Sequence, residues 1–390
     1  MEYIQAAEKA ILHTYNRFPV VFERGEGVYL YDTDGQKYLD FGAGIAVSSL
    51  GYSNEEYKEA MKAQFDKLIH TSNLYYSENT APAAEKLLEL SGMERVFFTN
   101  SGTEAIEGAL KAARKYAYGK ESGRYKFIAL EHSFHGRSFG ALSVTGTESY
   151  RTPFEPLVPG VSFGKMNDLE SVKALIDDET CGIILEPIQG EGGIFPSQKE
   201  FLAGVRALCD AHDLVLIYDE IQCGMGRTGS YFAWQQYDVK PDILVMAKAI
   251  GNGFPVGAFG LSEKLATNSL APGDHGTTYG GNPLALQAVQ TVATIFQKSD
   301  ILTHVKEVGS YLEQSLKALM TQKPIIKEVR GAGLMQGVEL KEAPGAYIQK
   351  AFEKKLLLIG AGSNTIRFVP PLVIEKEHVD QMIQILKETL

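Results

Sequence analysis

Short, uninterrupted apolar runs recur through the middle of the chain. They stand at Val96–Phe98, Phe127–Leu130, Gly182–Leu185, Leu214–Tyr218, Ile243–Ala247 and Val256–Gly260. A strand that is buried on both faces has such an uninterrupted apolar run, because neither face needs the polar residues that produce alternation. Amphipathic stretches such as Glu104–Tyr118 and Gln198–His212 separate several of the runs. The pattern predicts an α/β fold, with helices on both faces of a mainly parallel sheet.

The two ends of the chain have a different pattern. Val28–Phe41 alternates apolar and polar residues around an Asp-Gly pair, which is a strong signal for a β-hairpin. After Pro283 the chain becomes helical and then mixes shorter strands and helices. We therefore predict a large domain, 51–285, and a smaller α+β domain made from the N-terminal segment 1–50 and the C-terminal part 286–390.

Composition narrows the range of partners and locations. A net charge of −10 disfavours nucleic acid and anionic membranes. No apolar run approaches the roughly 18 residues of a membrane span, and Met1–Ala10 does not have the pattern of a signal peptide. Cys181, Cys209 and Cys223 show no CxxC spacing and suit buried thiols in a reducing compartment. We expect a cytoplasmic protein.

Two of the apolar runs each lead to one charged residue, Asp219 and Lys248. Because the carboxyl ends of parallel strands line the ligand crevice of α/β proteins, we expect this carboxylate and this amine to meet at one rim. A lysine that forms a Schiff base and an aspartate that keeps a pyridinium nitrogen protonated are the minimum equipment for pyridoxal phosphate chemistry. Alone, Lys248 would be an ordinary loop lysine, so the interpretation depends on the pair.

A small polar turn follows Val96–Phe98 and precedes the helix predicted for Glu104–Tyr118. It contains Ser101, Gly102 and Thr103. Free N–H groups and the positive end of the helix dipole make such a turn a ready phosphate site, although the same residues also suit a simple helix cap. The chain has no match to the G-x-x-x-x-G-K-[ST] pattern, which disfavours a nucleoside triphosphate.

The segment after the next predicted strand carries an aromatic residue and a cation. Phe134 could stack on a flat cofactor, and Arg137 could bind a substrate carboxylate through its forked donors. His132 and His135 lie in the same segment, and a competing interpretation pairs them as metal ligands. Two histidines without a third ligand are weak evidence, so we predict no metal.

Two further motifs suggest different chemistry. Glu186 and Glu191 resemble the paired carboxylates of a glycosidase, but their spacing alone does not give their separation. The segment Gly224–Gly229 satisfies the G-x-G-x-x-G pattern of dinucleotide-binding proteins. Other residues separate these glycines from the preceding strand, and no helical periodicity opens at Gly229. Both observations argue against a dinucleotide site. An NAD-dependent oxidoreductase is the alternative from a different class, and it depends on this match alone.

Taken together, these segments resemble the class III (ω-amino) aminotransferases, and among them most closely the acetylornithine aminotransferases. The resemblance runs in family order through TNSGTEA (99–105), FHGR (134–137), EPIQGEGG (186–193), YDEIQCGMGRTG (218–229), the Lys248 segment and TTYGGNP (277–283). It covers nearly the whole chain, from Phe22 to Leu372. It implies a fold-type I, pyridoxal phosphate-dependent transferase that works as a homodimer, each active site being completed by the partner subunit.

The resemblance also implies which residues bind the cofactor. Lys248 would form the Schiff base and shuttle the proton, and Asp219 would pair with the pyridine nitrogen. Gln222 would reach the ring hydroxyl, and Thr278 would reach the phosphate from the partner subunit. The full set implied for the cofactor is Ser101, Gly102, Thr103, Phe134, Asp219, Glu220, Ile221, Gln222, Lys248 and Thr278.

A second set is implied for the substrates. Arg137 would bind the α-carboxylate of the amino donor, with Tyr15 and Thr277 as lesser contacts. Glu191 and Arg367 would form a switch pair, in which Glu191 masks Arg367 while the basic amino acid is bound and releases it for the α-carboxylate of 2-oxoglutarate. Such a pair suits a pocket that must accept two differently charged substrates in turn.

Position 45 favours one donor. Ile45 stands where ornithine aminotransferases would carry a Tyr that recognises the free α-amino group, so an N-acylated donor is favoured. Two positions depart from the family pattern, namely Ile106 after TEA and the segment Tyr52-Ser53-Asn54 in place of a His-containing one. Neither touches an implied chemical role.

We therefore expect transfer of the δ-amino group of N-acetylornithine to 2-oxoglutarate, giving N-acetylglutamate semialdehyde and glutamate in arginine biosynthesis. Ornithine, 4-aminobutyrate and succinyl-diaminopimelate are the alternative donors. A non-catalytic regulator with an aminotransferase-like body is a third class, for which the chain shows no appended DNA-binding segment.

Overall fold

The computed structural model describes residues 2–390, so that Met1, the first residue of the predicted segment 1–50, lies outside the described residues. The strands are β1 (Phe22–Glu26), β2 (Tyr29–Asp32), β3 (Lys37–Asp40), β4 (Arg95–Thr99), β5 (Lys126–Leu130), β6 (Val161–Gly164), β7 (Thr180–Leu185), β8 (Ile188–Gln189), β9 (Phe195–Pro196), β10 (Val215–Asp219), β11 (Ile243–Ala247), β12 (Gly257–Leu261), β13 (Ile326–Ala332), β14 (Met335–Leu340), β15 (Leu356–Leu357), β16 (Ile359–Ala361) and β17 (Thr365–Phe368).

The helices are α1 (Glu2–Ala10), α2 (Ala43–Ala46), α3 (Glu55–Phe65), α4 (Thr80–Ser91), α5 (Gly102–Gly119), α6 (Phe139–Ser143), α7 (Glu148–Arg151), α8 (Leu169–Lys173), α9 (Lys199–His212), α10 (Trp234–Tyr237), α11 (Glu263–Asn268), α12 (Pro283–Lys298), α13 (Ile301–Met320), α14 (Gly345–Glu353) and α15 (Lys376–Thr389). Short 3-10 turns span Thr152–Phe154 and Lys248–Ile250. Within residues 2–390, none of these helices combines the length and the apolar character that crossing a bilayer requires.

A seven-stranded sheet forms the centre of the molecule, in the order β4-β12-β11-β10-β7-β5-β6. Strands β6, β5, β7, β10 and β11 run parallel to one another, whereas β12 runs antiparallel to both β11 and β4. The prediction of a mainly parallel sheet flanked by helices is therefore confirmed. The last predicted run, Val256–Gly260, corresponds to the antiparallel strand β12.

Burial on both faces explains why the strand runs contain no polar alternation. In β10, Val215 and Ile217 face a core formed with α5, whereas Leu216 and Tyr218 face a second core on the opposite side of the sheet. The same alternation divides the side chains of β11. Since each face meets an apolar layer, every position of these strands favours an apolar residue.

The two chain ends share secondary structure. Strand β15 from the C-terminal part pairs in parallel with β3 from the N-terminal hairpin, in a sheet of order β1-β2-β3-β15. A third sheet, β13-β14-β17-β16, carries Arg367 on β17. Helix α12 packs along α3 and α4 and continues past residue 285. The domain division 1–50, 51–285 and 286–390 stays a prediction.

Helix α5 and strand β12 approach each other closely at Gly108, which allows a matched test of the packing. A Cβ at Gly108 would lie 2.2 Å from Phe259 Cε1, whereas a Cβ at Gly119, in the same helix, meets its nearest atom only at 4.0 Å. We expect Gly108→Ala to lower the free energy of unfolding by about 1–3 kcal/mol through overpacking. Gly119→Ala should leave it unchanged or slightly higher. Denaturant titration of both variants measures the difference, and equal midpoints would contradict the packing.

Candidate active site

A cavity of about 410 Å³ opens at the carboxyl ends of the parallel strands, at the rim predicted for ligand binding. Its walls come from segments that are far apart in the chain, namely those that follow β4, β5, β10 and β11. The predicted site residues that line it are Ser101, Gly102, Thr103, Phe134, Arg137, Asp219, Ile221, Gln222 and Lys248.

Lys248 lies immediately after β11 and has a left-handed backbone conformation, with φ of 51°. The loss of hydration in the cavity wall lowers the pKa of Lys248 to about 8, although the negative charge of Glu191 acts in the opposite direction. A substantial fraction of the amine is therefore neutral near physiological pH. A neutral amine is the form that can attack a carbonyl carbon or accept a proton.

Asp219 ends β10 and is almost completely buried, so its charge needs compensation from neighbouring groups. One carboxylate oxygen accepts a hydrogen bond from the N–H of Ile221 at 3.0 Å, and the other lies 2.8 Å from Nδ1 of His135. Among residues 2–390, Nε2 of His135 has no hydrogen-bond partner. The contact gives His135 a supporting position behind Asp219 that the sequence did not reveal.

Glu186 forms part of the same buried layer. Its carboxylate accepts hydrogen bonds from the N–H groups of Phe134 at 3.1 Å and Gly190 at 3.0 Å. Burial raises the pKa of Glu186 to about 7, although His135 acts in the opposite direction. Glu186 thereby connects the loop that carries Phe134 with the loop that leads to Glu191.

Helix α5 begins at the cavity and presents its N-terminal N–H groups to it. The hydroxyl of Ser101 caps the helix by accepting a hydrogen bond from the N–H of Glu104 at 3.3 Å. Gly102 leaves room beside Ile221, because a Cβ there would lie 2.7 Å from Ile221 Cδ1. The hydroxyl of Thr103 lies 2.8 Å from that of Ser138. This turn can hold a phosphate group against the helix dipole.

Glu191 and Arg367 form an ion pair beside the cavity, with 2.6 Å between Glu191 Oε1 and Arg367 Nη1. Arg367 also donates to the side-chain oxygen of Gln222 at 3.1 Å and to the carbonyl of Gly360 at 3.2 Å. Burial alone would raise the pKa of Glu191, but the charge and hydrogen bonds of Arg367 outweigh it and hold the pKa below its usual range.

Arg137 lies at the exposed side of the cavity, over the ring of Tyr150 at 4.0 Å from its centroid. Tyr150 in turn meets the ring of Phe134 edge-on, with 6.1 Å between the ring centroids. The aromatic pair limits where the guanidinium can lie. Sequence analysis did not predict a role for Tyr150, which lies in the single-turn helix α7, thirteen residues after Arg137.

Other predicted site residues do not line this cavity. The side chain of Glu220 points away from it, and its carboxylate accepts hydrogen bonds from the N–H groups of Ala233 and Trp234. Successive side chains at the end of a strand point in opposite directions, so Glu220 faces the protein interior when Asp219 faces the site. Thr278 borders a separate small cavity, and Tyr15 is 70% exposed. Thr277 accepts a hydrogen bond from the side-chain amide of Asn100 at 3.2 Å.

The glycine motif at 224–229 does not open a helix. Gly224 to Gly229 lie in turns, and the next helix, α10 (Trp234–Tyr237), begins five residues later and has a single turn. Gly226 packs against Phe296 and Gly229 packs against Lys306. The strand–glycine–helix arrangement of a dinucleotide site is not formed by these residues.

The mouth of the cavity is bordered by an unusual segment, residues 42–47, which we call the rim turn. Its residues Ala43–Ala46, given above as α2, all have left-handed φ angles, between 48° and 67°, so this short element is not a right-handed helical turn. Each non-glycine residue in this conformation costs roughly 1–2 kcal/mol, so other contacts must hold the turn. Val47 at its end lines the cavity, and Ile45 is 42% exposed.

The chain is similar to known proteins over its whole length. The profile of the aminotransferase class-III family matches residues 10–390. The acetylornithine aminotransferase of Aquifex aeolicus is 47% identical over 381 residues, covering 97% of this chain and 99% of that protein. The acetylornithine aminotransferase of Methanocaldococcus jannaschii is 46% identical, covering 99% of this chain and 97% of that protein.

Solved structures agree. Ornithine aminotransferase from Toxoplasma gondii, with pyridoxal phosphate at partial occupancy in its active site, has a TM-score of 0.94 and 31% identity, covering 100% of this chain and 93% of that chain. N-acetylornithine aminotransferase from Stenotrophomonas maltophilia K279a has a TM-score of 0.85 and 35% identity, covering 99% of this chain and 98% of that chain.

Breaking the ion pair beside the cavity should destabilise the protein in a pH-dependent way. Glu191→Gln leaves the buried guanidinium of Arg367 without its counter-charge, and we expect a loss of about 1–3 kcal/mol at neutral pH. Because the folded-state pKa of Glu191 is lowered from 4.5, its contribution is present above pH 4.5 and is lost as the pH falls through the folded-state value. The difference between wild type and Glu191→Gln should therefore shrink in acid.

Melting temperatures at several pH values measure this difference. The matched control is Glu313→Gln, which breaks the exposed pair between Glu313 and Lys317 and should change stability little at any pH. A Glu191→Gln variant that is no less stable than Glu313→Gln at neutral pH would show that the pair contributes nothing.

Proposed function

The chain belongs to the class-III aminotransferase family, and on this basis we propose that it transfers the terminal amino group of N-acetylornithine to 2-oxoglutarate. The products are N-acetylglutamate semialdehyde and glutamate, a step of arginine biosynthesis. The observation that carries the proposal is the meeting of Lys248, Asp219 and the helix start at Ser101 in one cavity, in a chain 47% identical to an acetylornithine aminotransferase.

The cofactor of the family is pyridoxal phosphate, and the residues around the cavity fit it. The space that Gly102 leaves beside Ile221 and the N–H groups at the start of α5 suit the phosphate. Asp219, held by His135, offers a buried carboxylate to a pyridine nitrogen. Lys248 provides an amine whose pKa burial has already lowered. When bound, the cofactor supplies an electron sink for the carbon that carries the amino group.

The chain's own residues hold the substrates and move protons. Nζ of Lys248 would accept the proton that leaves the amino-bearing carbon of the donor and would return a proton to the acceptor carbon in the second half-reaction. Asp219 would keep a proton on the pyridine nitrogen, because a buried carboxylate needs a positive partner. Phe134 would cover one face of the ring, and Gln222 would donate a hydrogen bond to it.

Two substrates of different charge must use the same cavity. Arg137, beside the ring of Tyr150, would bind the α-carboxylate of the donor. Arg367 is paired with Glu191, so its charge is masked when the second substrate is absent. The α-carboxylate of 2-oxoglutarate would displace Glu191 and take its place on Arg367. The exchange replaces one charge-assisted pair with another and so requires little net free energy.

The identity of the donor depends on the mouth of the cavity. Ile45 lies in the rim turn, whose last residue, Val47, lines the cavity, and the apolar side chain of Ile45 is partly exposed. An apolar surface suits an acylated nitrogen, whereas a free ammonium group would lose hydration without gaining a partner. N-acetylornithine is therefore favoured over ornithine. 4-Aminobutyrate and succinyl-diaminopimelate remain the other candidate donors.

We propose a cytoplasmic homodimer with shared active sites. Large apolar side chains are exposed in two segments, residues 2–18 and 65–76, and none of the residues of α1 is buried. Exposed apolar clusters of this kind are typical of interaction surfaces. A partner subunit that covered them would explain how Thr278 and Tyr15 reach an active site that they do not line in one chain. Three buried free thiols suit a reducing compartment.

Replacing the lysine tests the cofactor assignment. We expect Lys248→Ala to lose the visible absorption band of the lysine-bound cofactor and to lower kcat by roughly a thousandfold, because both the covalent attachment and the proton carrier are removed. The matched control is Lys240→Ala, at an exposed lysine that precedes the same strand, β11. Visible absorption spectra and kcat values of the two variants test the assignment of Lys248. A coloured, fully active Lys248→Ala variant would exclude the assignment.

A panel of amino donors with 2-oxoglutarate as acceptor tests the substrate. We expect kcat/KM for N-acetylornithine to exceed that for ornithine by roughly tenfold or more, since a buried, unpaired ammonium group costs more than 1 kcal/mol. Product glutamate provides a common readout for every donor. Equal values for the two donors would overturn the inference from Ile45, and a higher value for 4-aminobutyrate would overturn the proposed donor.

A further inference from the structure

Tyr52, in the segment Tyr52-Ser53-Asn54, contacts Asp40, the last residue of β3, which lies two residues before the rim turn. The hydroxyl of Tyr52 donates a hydrogen bond to Oδ2 of Asp40 at 2.6 Å, and Asp40 is almost completely buried. The backbone of Tyr52 is also paired with Gly27, through hydrogen bonds in both directions. The phenol is therefore held in place from both its backbone and its hydroxyl end.

The same carboxylate holds the start of the rim turn. Oδ1 of Asp40 accepts hydrogen bonds from the N–H groups of Gly42 at 2.7 Å and Ala43 at 3.1 Å. These donors stand where the backbone enters its left-handed stretch, Ala43–Ala46. A left-handed turn of mostly non-glycine residues does not persist on local preference alone, and the hydrogen bonds to Asp40 hold the backbone where this turn begins.

The rim turn lies between the cavity and the part of the molecule that carries Arg367. Val47 lines the cavity together with Lys248. Ala46 packs in a small apolar cluster with Val369, two residues beyond Arg367. A shift of the turn would therefore change the shape of the cavity mouth and move the exposed side chain of Ile45.

Burial and the charge of Asp40 keep the hydroxyl of Tyr52 protonated. Burial raises the pKa of the Tyr52 phenol, and the neighbouring Asp40 raises it further, so the hydroxyl remains a donor throughout the working pH range. Burial also raises the pKa of Asp40, while the hydrogen bonds from Tyr52, Gly42 and Ala43 oppose that rise. Removing the Tyr52 hydroxyl would take away one of the few groups that compensate this buried carboxylate.

We propose that Tyr52 and Asp40 form a positioning pair that fixes the rim turn and thereby sets the preference for the N-acylated donor. The proposal rests on the proposed function, and it adds residues that have no part in the chemistry. Neither side chain lines the cavity. Both act through Ile45 and Val47, whose positions depend on the left-handed backbone between them and Asp40.

Tyr52→Phe is the direct test, because it keeps the ring and removes only the hydroxyl. We expect KM for N-acetylornithine to rise about three- to tenfold, with kcat within about twofold of wild type, as for the loss of one buried hydrogen bond that acts on binding alone. KM for ornithine should change little. The ratio of kcat/KM for the two donors should therefore fall by about the same three- to tenfold.

The matched control is Tyr116→Phe, which removes the hydroxyl of another buried tyrosine that donates to an aspartate, Asp213, at 2.8 Å. Neither residue lines the cavity. This variant should keep the donor ratio of wild type, whatever it does to the melting temperature. Asp40→Asn serves as a second variant and should lower the donor ratio at least as much as Tyr52→Phe.

The outcomes separate the two proposals. A wild-type enzyme that does not use N-acetylornithine overturns the proposed function, independently of any variant. A wild-type enzyme that uses it, with the same donor ratio in Tyr52→Phe and in Tyr116→Phe, overturns the positioning pair alone. Loss of folded protein in Tyr52→Phe would also overturn it, because the contact would then serve folding instead of selectivity.

Discussion

The site depends on two ionisable side chains of opposite charge, Asp219 and Lys248, whose charged groups are buried at the ends of neighbouring strands. Asp219 ends β10 and Lys248 follows β11. The two strands pair in parallel, and a carboxylate and an amine therefore lie in the wall of one cavity. Neither charge could be buried alone. His135 and the N–H of Ile221 compensate the aspartate, and the lysine responds with a lowered pKa. Because the charge of Lys248 is only partly compensated in the cavity wall, its amine loses a proton more readily than that of an exposed lysine.

The Glu191–Arg367 pair is a second case in which a buried charge is compensated by an opposite one. Arg367 comes from the C-terminal sheet and Glu191 from a loop that follows the central sheet, so their contact joins two parts of the chain that lie 176 residues apart. The carboxylate of Glu191 meets the guanidinium of Arg367 through two hydrogen bonds, so the buried positive charge is compensated. In the proposed reaction, the α-carboxylate of the second substrate would take the place of Glu191.

Backbone strain is concentrated where the cavity needs its shape. Lys248 and the rim turn, residues 42–47, have left-handed conformations that isolated peptides avoid. The surrounding structure supports them, through the packing of β11 in one case and through Asp40 in the other. The positions of the Lys248 amine and of the cavity mouth are therefore set by contacts outside the cavity, which leaves the cavity itself free for ligands.

The sequence by itself determined six of the seven strands of the central sheet and the two charged residues Asp219 and Lys248, because burial on both faces leaves uninterrupted apolar runs. It missed β6, an edge strand whose residues are mostly only partly buried. It also predicted the helix start at Ser101, which follows a strand end, and, together with the family resemblance, nine of the nineteen residues that line the cavity. Only the tertiary structure decided that β12 runs antiparallel, that Glu220 turns away from the cavity, and that His135 supports Asp219. The contact of Tyr52 with Asp40 belongs to the same group. These features depend on side-chain direction and on partners distant in the chain, and a pattern of neighbouring residues carries no record of either.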